Sequence, residues 1–582
     1  MIIEYLTLAV YFGFLLALGG IFARFNRGLS DFARGGSRLT WWMVGTSITM
    51  AGISAFTFTG NASAAFEAGP SLLVIYAANL LGFFLGGVVL ARWYRNTRAY
   101  TGADVIRDRF GPAAEQFSIY SGLLIGPFSS AVQLWALAVF VSSVFGFHLG
   151  VTIVAVGLIT LFYSASGGAW AVIATDFVQG IVLFGITILL GLLAWLAIGG
   201  VAGFSEHLAD PELAGVFIWI KEPGAYPENR YTWGWAAVVF VLQLAGQIQL
   251  STATRYLSAK DGREASRAAW LAFGLMAVGS LVWFLPPMAA RLLYYDQVMA
   301  MPVGDPATTA YAVAAMNLLP KGLMGVVIAA MFAATMSSMD SGLNSQTSII
   351  VRNLLPALRV RLGLPRLEEA RELRLCRIIS VVLGLLIIIA ALLLSNQTRF
   401  VLFDAFLTLS SVIGGPMGVP LLAGLLLRRL PASSYFFIFA AGLVPSVYSL
   451  AAESLGQPAW TIQQRGGWVL AWGAVATIIC WLMRRKASEK HRGREVEFFK
   501  KIATPVDFER EVGKANDRQQ ATLLGGAVTV VGLLLFGFLL VPNGMNARLQ
   551  IVCLAVGVFT VGAALWTWGR RKKAPNTGPG PV

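Results

Sequence analysis

The chain has 582 residues, of which 57% are hydrophobic and only 13% are charged, and its mean hydropathy is +0.70. This composition excludes an ordinary soluble protein and predicts an all-α protein with many membrane spans. The net charge of +15 is divided among separate loops, and the three cysteines and three histidines have no metal-ligand spacing. A nucleic-acid partner, an ATP-driven pump and an enzyme are therefore not expected.

Fifteen apolar segments are long enough to be membrane spans, beginning near residues 4–24. The first segment has no basic leader and no small-residue cleavage site, so it is not expected to be a cleaved signal. Lys and Arg lie mainly in alternate loops, starting with the loop between spans one and two. The positive-inside rule then predicts an outside N-terminus and an inside C-terminus. We expect a multi-pass protein in the lipid bilayer of a cell membrane (plasma or inner).

Spans two and seven have the composition of interrupted helices. Span two (residues 40–66) is dense in Gly, Ser and Thr, and span seven (residues 233–257) contains Gln243, Gln247 and Gln249. Broken spans at matching positions of two halves are typical of transporters built from inverted repeats. The sequence therefore predicts backbone carbonyls exposed near the middle of the membrane at both breaks.

Span six contains a carboxylate, Asp176, in the stretch AWAVIATDFVQG. An acid within a membrane span points to a functional site. The alternative for Asp176 is an interfacial acid that is hydrogen-bonded to Gln179 or to water. The sequence leaves both interpretations open.

Span nine (residues 319–351) carries a stripe of hydroxyl groups. At about 100° per residue, one helical face collects Ala334 and a run of serines. The serines are Ser337, Ser338, Ser341, Ser345 and Ser348. Small residues also favour close helix packing, but several hydroxyls on one face can provide oxygen ligands for a cation such as sodium. Asp340 points about 110° away from this face, so we do not assign it to the same ion.

The C-terminal part contains a charged segment, residues 484–520, between two groups of apolar spans. We expect a short surface helix and linker on the cytoplasmic side, with its basic residues anchored on anionic lipid. The segment is too short to be a kinase domain. The tail of residues 570–582 is expected to be disordered.

Several motifs resemble the sodium/solute symporter family, which includes sodium/glucose and sodium/proline symporters. The strongest is AAMFAATMSSMDSGLNSQTSIIVRNL in span nine, and it is accompanied by TGADVIRDRFG, GGAWAVIATDFVQ, TRYLSAKD, LPPMAARLLYYD and GGPMGVPLLAGLLLRRL. The resemblance covers about residues 1–430 in order. It implies two inverted five-helix repeats, with one extra N-terminal helix and about four extra C-terminal helices.

The resemblance also implies a sodium site. Carried over by position, the ligands are the backbone carbonyls of Met50, Ile53 and Ala334 and the hydroxyls of Ser337 and Ser338. Members that bind two sodium ions have a serine where this chain has Ala334, which favours one sodium per solute.

Asp176 matches the family's acid after the GG loop. In some members this acid is linked to a second sodium, and in others to ion exit. Both roles remain open for Asp176.

The solute pocket that the resemblance implies departs from that of the sugar carriers. Its positions carry Met276 and the six polar residues Thr57, Tyr76, Asn79, Gln243, Gln247 and Ser410. Each polar side chain could instead make a helix–helix hydrogen bond. We expect no Arg or Lys inside a core span, which disfavours a multiply charged anion.

The predicted segments divide the chain as follows. They are residues 1–39 (N-terminal helix and loop), 40–204 (first repeat), 205–232 (external loop), 233–430 (second repeat), 431–483 (accessory helices), 484–520 (charged segment), 521–569 (two accessory helices) and 570–582 (basic tail).

The sequence predicts a sodium-coupled symporter that imports a neutral, zwitterionic or singly charged solute by alternating access. The solute classes are a sugar or polyol, an amino acid or a monocarboxylate, and the functional unit is expected to be a monomer. Two alternatives are a proton-coupled carrier of the same fold, using Asp176 or Asp340, and a sensor that binds solute without transporting it.

Overall fold

The computed structural model describes residues 2–24, 28–164, 168–248, 254–365, 367–396, 402–452, 456–458, 460–483 and 488–571. Within these ranges the chain is helical, and its only β-type pairing is a single bridge between Leu39 and Ala259. The all-α prediction is confirmed. Gln249, residues 484–487 of the charged segment and the tail from residue 572 lie outside the described residues.

The helices are numbered here in chain order. The first half contains α1 (Ile2–Ala23), α2 (Leu29–Arg34), α3 (Trp41–Ala51), α4 (Gly60–Ala68), α5 (Leu73–Leu85), α6 (Ala91–Asn96), α7 (Gly102–Phe110), α8 (Pro112–Phe145), α9 (Leu149–Ser164), α10 (Ala169–Ala197), α11 (Gly200–His207), α12 (Pro211–Phe217) and α13 (Trp233–Gln247). The second half contains α14 (Gly262–Val282), α15 (Leu285–Leu293), α16 (Tyr295–Met299), α17 (Ala310–Leu318), α18 (Leu323–Ile349), α19 (Leu355–Arg361), α20 (Glu369–Ser395), α21 (Leu402–Leu409), α22 (Gly415–Leu426), α23 (Ser434–Ala451), α24 (Ile462–Leu482), α25 (Glu489–Ala503), α26 (Phe508–Glu511), α27 (Asp517–Phe536) and α28 (Met545–Arg570).

Twelve stretches of the described helix are long and apolar enough to cross a membrane. Two shorter apolar helices, Leu149–Phe162 and Trp233–Gln247, fall at predicted spans five and seven. Predicted span two is divided into α3 and α4, and the helical stretch Ala55–Asn96 joins α4 to the next span. The predicted count of fifteen, the orientation and the segment boundaries stay predictions.

Helix α18 lies at the centre of the molecule. It packs against α1, α3, α8, α10 and α20. In the most apolar 18 residues of the helical stretch Leu323–Arg361, 94% of the residues are buried. A helix that carries so many hydroxyls would leave polar groups facing lipid if it lay at the periphery. Its central position therefore follows from its sequence.

The charged segment after α24 packs on the protein itself. We call its described part, residues 488–516, the strap. Helix α25 buries one face made of His491, Glu495, Phe498 and Ile502, which recur at helical spacing. The strap contacts α6 and α7, where Asn96 Nδ2 donates to the Ile502 carbonyl at 2.8 Å and Lys501 Nζ approaches Asp108 Oδ2 at 3.2 Å. Anchoring on lipid stays a prediction.

Two buried polar residues fix α25 to the end of α22. The Nη2 of Arg109 on α7 lies 3.3 Å from Glu495 Oε1, and the same oxygen accepts from the backbone N–H of Arg429. Arg109 also donates to the carbonyls of Gly424 (2.9 Å) and Leu427 (3.1 Å). Burial lowers the pKa of His491, so the ring is neutral at pH 7 and its Nε2–H donates to the Leu430 carbonyl at 2.7 Å.

Replacing Glu495 with alanine should release the strap. The change leaves the Arg109 guanidinium buried without its charge partner, which costs about 3–5 kcal/mol for a buried pair. We expect limited proteolysis within residues 488–516 to become much faster in Glu495→Ala. The matched control is Glu497→Ala on the same helix, because Glu497 is 68% exposed and its ion pair with Lys501 is a surface pair. Equal cleavage rates in the two variants would contradict this account of how the strap is held.

Candidate functional site

The predicted break in span two lies at residues 52–54. Helix α3 ends at Ala51, and a turn of 3₁₀ helix, Ala55–Phe58, follows before α4 begins. Gly52 has no side chain to pack, and the Ser54 hydroxyl accepts from the Phe56 N–H at 3.3 Å, which competes with helix formation. The chain therefore leaves the helix where the sequence is richest in helix-breaking residues.

The break is fastened to α18 by a single described hydrogen bond. The backbone N–H of Ala55 donates to the Thr335 hydroxyl at 2.9 Å. Met50 and Ile53 precede this contact on one side, and Ala334 lies next to it on the other. All three are at most 1% exposed. The structure thus brings together the two segments to which the sodium site was assigned.

The two paired serines of α18 differ in their surroundings. Ser337 is 1% exposed, and its Oγ makes no close hydrogen bond within the described part of the chain, although it lies beside the Asp176 carboxylate. Ser338 is partly exposed to a cavity, and its Oγ donates to Gln133 Oε1 of α8 at 2.5 Å. A buried hydroxyl without a partner is costly, so Ser337 Oγ is an oxygen that a bound ion could satisfy.

A buried ion pair lies beside these serines. Arg255 Nη2 is 3.7 Å from Asp176 Oδ2, and the two side chains are 9% and 1% exposed. Ser47 of α3 donates to Asp176, and Arg255 also donates to Ser341 of α18. Asp340 lies within electrostatic range of Arg255.

The expectation that no basic side chain enters the core is wrong at Arg255. This residue is buried and also lines the cavity described below. The reason is local pairing, since the carboxylate of Asp176 offsets the cost of burying the guanidinium. Asp176 in turn has a cation beside it already, so a second sodium there would compete with Arg255.

A cavity of about 510 Å³ lies next to the residues of the predicted sodium site. Its wall includes Gly52, Gln133, Ser338 and three of the six predicted solute residues, Gln243, Gln247 and Ser410. Apolar wall is provided mainly by Phe83, Leu242, Phe406, Met417 and Leu421. Such a mixture of apolar surface and a few convergent polar groups is typical of small-molecule sites.

The other three predicted solute residues support the wall from behind. Asn79 Oδ1 accepts from Gln243 Nε2 at 2.8 Å and from Gln247 Nε2 at 2.9 Å. Tyr76 accepts from Asn61 at 2.8 Å, and Thr57 lies next to the Tyr76 hydroxyl. Asn79 accepts one N–H hydrogen bond from each glutamine amide. Because these bonds use the amide nitrogens, both glutamine carbonyl oxygens remain available as acceptors.

The cavity extends toward the side that carries the basic loops, where Ala33, Gly102 and Ala103 line it. Aromatic contacts lie on the opposite side. Phe56 and Phe406 have ring centroids 4.6 Å apart, and Tyr76 and Phe284 are 4.7 Å apart. The ion pair between Arg230 and Asp404, at 2.7 Å, joins the loop before α13 to α21.

Three polar residues of the site were not found from the sequence: Ser47, Gln133 and Arg255. Ser47 and Gln133 lie in segments whose helical pattern says nothing about their partners on other helices. Arg255 lies in the TRYLSAKD motif, but its partner Asp176 belongs to a different span.

Replacing Arg255 alone should destabilise the protein more than replacing both members of the pair. Arg255→Met leaves a buried carboxylate without its cation, and breaking a buried pair costs about 3–5 kcal/mol. We expect thermal unfolding of the purified protein to give a lower Tm for Arg255→Met than for Arg255→Met with Asp176→Asn. Arg267→Met is the control, because that side chain is 64% exposed. If the Tm losses of Arg255→Met and of Asp176→Asn alone simply add in the double variant, the pair is not coupled.

Comparison with known proteins places this geometry among transporters. A model of the sodium:solute symporter family matches residues 32–438. The sodium/sialic acid symporter SiaT of Proteus mirabilis is 25% identical over 467 residues, which cover 78% of this chain and 90% of that protein. The human sodium/myo-inositol cotransporter 2 is 27% identical over 77% of this chain and 69% of its own length, and the rat sodium/glucose cotransporter 2 is 26% identical over 77% and 72%.

A solved structure shares the fold. It is the substrate-bound, outward-open state of a Na⁺-coupled sialic acid symporter, whose description mentions a novel Na⁺ site. The TM-score is 0.69 at 21% sequence identity, and the match covers 84% of this chain and 98% of the other.

Proposed function

The chain belongs to the sodium:solute symporter family, and from this membership we propose that it imports a small organic solute together with sodium, by alternating access, across a cell membrane. The observation that carries the proposal is that Gly52 at the break and the serine face of α18 line one cavity, and that Ala55, directly after the break, donates to Thr335 of α18. A broken span against a neighbouring helix is the usual ion site of such transporters.

We assign the sodium ion to the carbonyls of Met50, Ile53 and Ala334 and the hydroxyls of Ser337 and Ser338. Hard cations are held by several oxygen atoms, and backbone carbonyls at a helix break can provide them inside a membrane. The unpartnered Ser337 Oγ supports this assignment, because an ion would satisfy it.

We propose one sodium per solute, with Asp176 on the ion's exit path. Arg255 lies 3.7 Å from Asp176, so the carboxylate is already partly neutralised. A second sodium held by Asp176 would have to displace or share that interaction. A role in exit requires only transient contact, which a partly neutralised carboxylate can provide.

The solute is proposed to bind against Gln243, Gln247 and Ser410, with Asn79, Tyr76 and Thr57 behind them. The relatives are named for sialic acid, glucose and myo-inositol, which all carry several hydroxyl groups. Glutamine carbonyls and serine hydroxyls can accept hydrogen bonds from such groups. Arg255 at the cavity wall makes a singly charged carboxylate acceptable as well, so sugars or polyols, amino acids and monocarboxylates are all candidates.

Sodium binding would hold the break against α18 and thereby complete the solute pocket. Coupling requires that sodium bind the solute-competent state more tightly, typically by about 1–3 kcal/mol. The membrane potential adds about 2.3 kcal/mol per charge at 100 mV to the free energy that drives sodium inward.

We propose that the N-terminus is outside and the C-terminus inside, that fifteen segments span the bilayer and that one chain is the functional unit.

Removing the two hydroxyls should abolish sodium stimulation of uptake. The variant is Ser337→Ala with Ser338→Ala, measured in proteoliposomes with labelled sialic acid, glucose, myo-inositol, an amino acid and a monocarboxylate. The control is Ser446→Ala, because that serine is also buried but donates only to a carbonyl of its own helix, Gly442, at 3.2 Å. Unchanged sodium dependence in the double variant would remove the site assignment.

The same vesicles separate the proposal from its two alternatives. Uptake driven by a pH gradient in sodium-free buffer would indicate a proton-coupled carrier. Binding without flux would indicate a sensor. Binding is measured by thermal shift with and without sodium, since a ligand at 100 times its Kd adds about 2.7 kcal/mol of stability.

A further inference from the structure

The hydroxyl of Ser338 has three acceptors within reach. Gln133 Oε1 on α8 is 2.5 Å away, the Thr335 carbonyl is at 3.0 Å and the Ala334 carbonyl is at 3.3 Å. The last two belong to the same helix as Ser338. Gln133 is the acceptor that a different helix supplies, and it makes the shortest of the three contacts.

A serine hydroxyl has one proton and two lone pairs. A hydroxyl that binds a cation uses a lone pair, so its proton has to be directed at another acceptor. If Ser338 donates to the Ala334 carbonyl, it engages an oxygen that the proposed sodium site itself needs. If it donates to Gln133, that carbonyl is left to the ion and the Ser338 lone pairs turn away from α8.

We propose that Gln133 is a positioning residue for the sodium site. The side-chain carbonyl of Gln133 accepts the hydrogen bond from the Ser338 hydroxyl, and the lone pairs of Ser338 Oγ are thereby directed toward the ion. The inference rests on the proposed function and adds a residue to it. Gln133 also lines the cavity and is only partly buried, so the same amide faces the space that a solute would enter.

The test uses sodium alone as the probe. The Tm of the purified, full-length protein is measured over a range of NaCl concentrations, with choline chloride keeping the ionic strength constant. The sodium concentration that gives half of the stabilisation is then compared among variants. No solute is needed, so the result does not depend on identifying one.

Gln133→Leu should raise the half-saturating sodium concentration about tenfold, because losing a well-placed hydrogen bond costs about 1–1.5 kcal/mol. Gln133→Glu keeps an acceptor at the same position and should restore sodium binding to within about threefold of the original protein. Gln116→Leu is the matched control on the same helix. Gln116 does not line the cavity and makes a long contact of 3.4 Å with the Asn353 carbonyl, so sodium binding should not change.

The outcomes separate the inference from the function on which it rests. If the original protein is stabilised by sodium but Gln133→Leu responds at the same concentration, the role of Gln133 is wrong and the sodium site stands. If Gln133→Glu loses sodium binding as fully as Gln133→Leu, Gln133 acts by packing and the inference is also wrong. If sodium does not stabilise the original protein, the proposed function fails first. Should Gln133→Leu not fold, Gln133→Asn serves in its place, because its shorter side chain cannot reach Ser338.

Discussion

A membrane interior offers no hydrogen bonds to the groups it surrounds, and this constraint organises the structure. Helix α18 carries a face of hydroxyls, and it lies among α1, α3, α8, α10 and α20, with Ser338, Ser341 and Ser345 of that face lining the cavity. Helix α3 stops at Ala51, and the chain directly after the break is bonded to α18 from Ala55 to Thr335. Two segments that lipid could not accommodate therefore lie against each other, and the buried oxygen of Ser337, which makes no hydrogen bond within the described residues, is suited to an ion.

The same constraint explains why the buried charges come as a pair. Burying either Arg255 or Asp176 alone would cost several kcal/mol, whereas together they form a nearly neutral unit with Ser47 and Ser341 as further partners. This unit lies between α3, α10 and α18, close to the proposed ion.

The sequence predicts the features of the fold and the site that depend on neighbouring residues, and it does not predict those that depend on residues far apart in the chain. The break at residues 52–54 and the serine face of α18 are local patterns of Gly, Ser and helical period, and the structure has both. Contacts between distant helices leave no such pattern. The bond from Ser338 to Gln133 joins positions 205 residues apart, and the pairing of Arg255 with Asp176 on α10 leaves no periodic signal in the sequence.

The contacts of the strap are a further example. Anchoring of its basic residues on lipid stays a prediction, while helix α25 buries Glu495 and His491 against partners on α7 and in the chain that follows α22. Composition indicates which kinds of surface a segment could contact, whereas the fold determines which surface it contacts.

The two ends of the cavity are held in different ways, and this difference bears on transport. Packed aromatic rings and the Arg230–Asp404 pair lie away from the basic loops, while the end toward the basic loops is lined by small residues and bordered by α7. Arg109 on α7 is bonded both to the end of α22 and to Glu495 of the strap. Closing this end requires α7 to approach the helices across the cavity, so the strap must either move with α7 or give up these buried bonds. In the proposed transport cycle, the free energy of those bonds enters the balance between the two states of the protein, in addition to that of the proposed sodium ion.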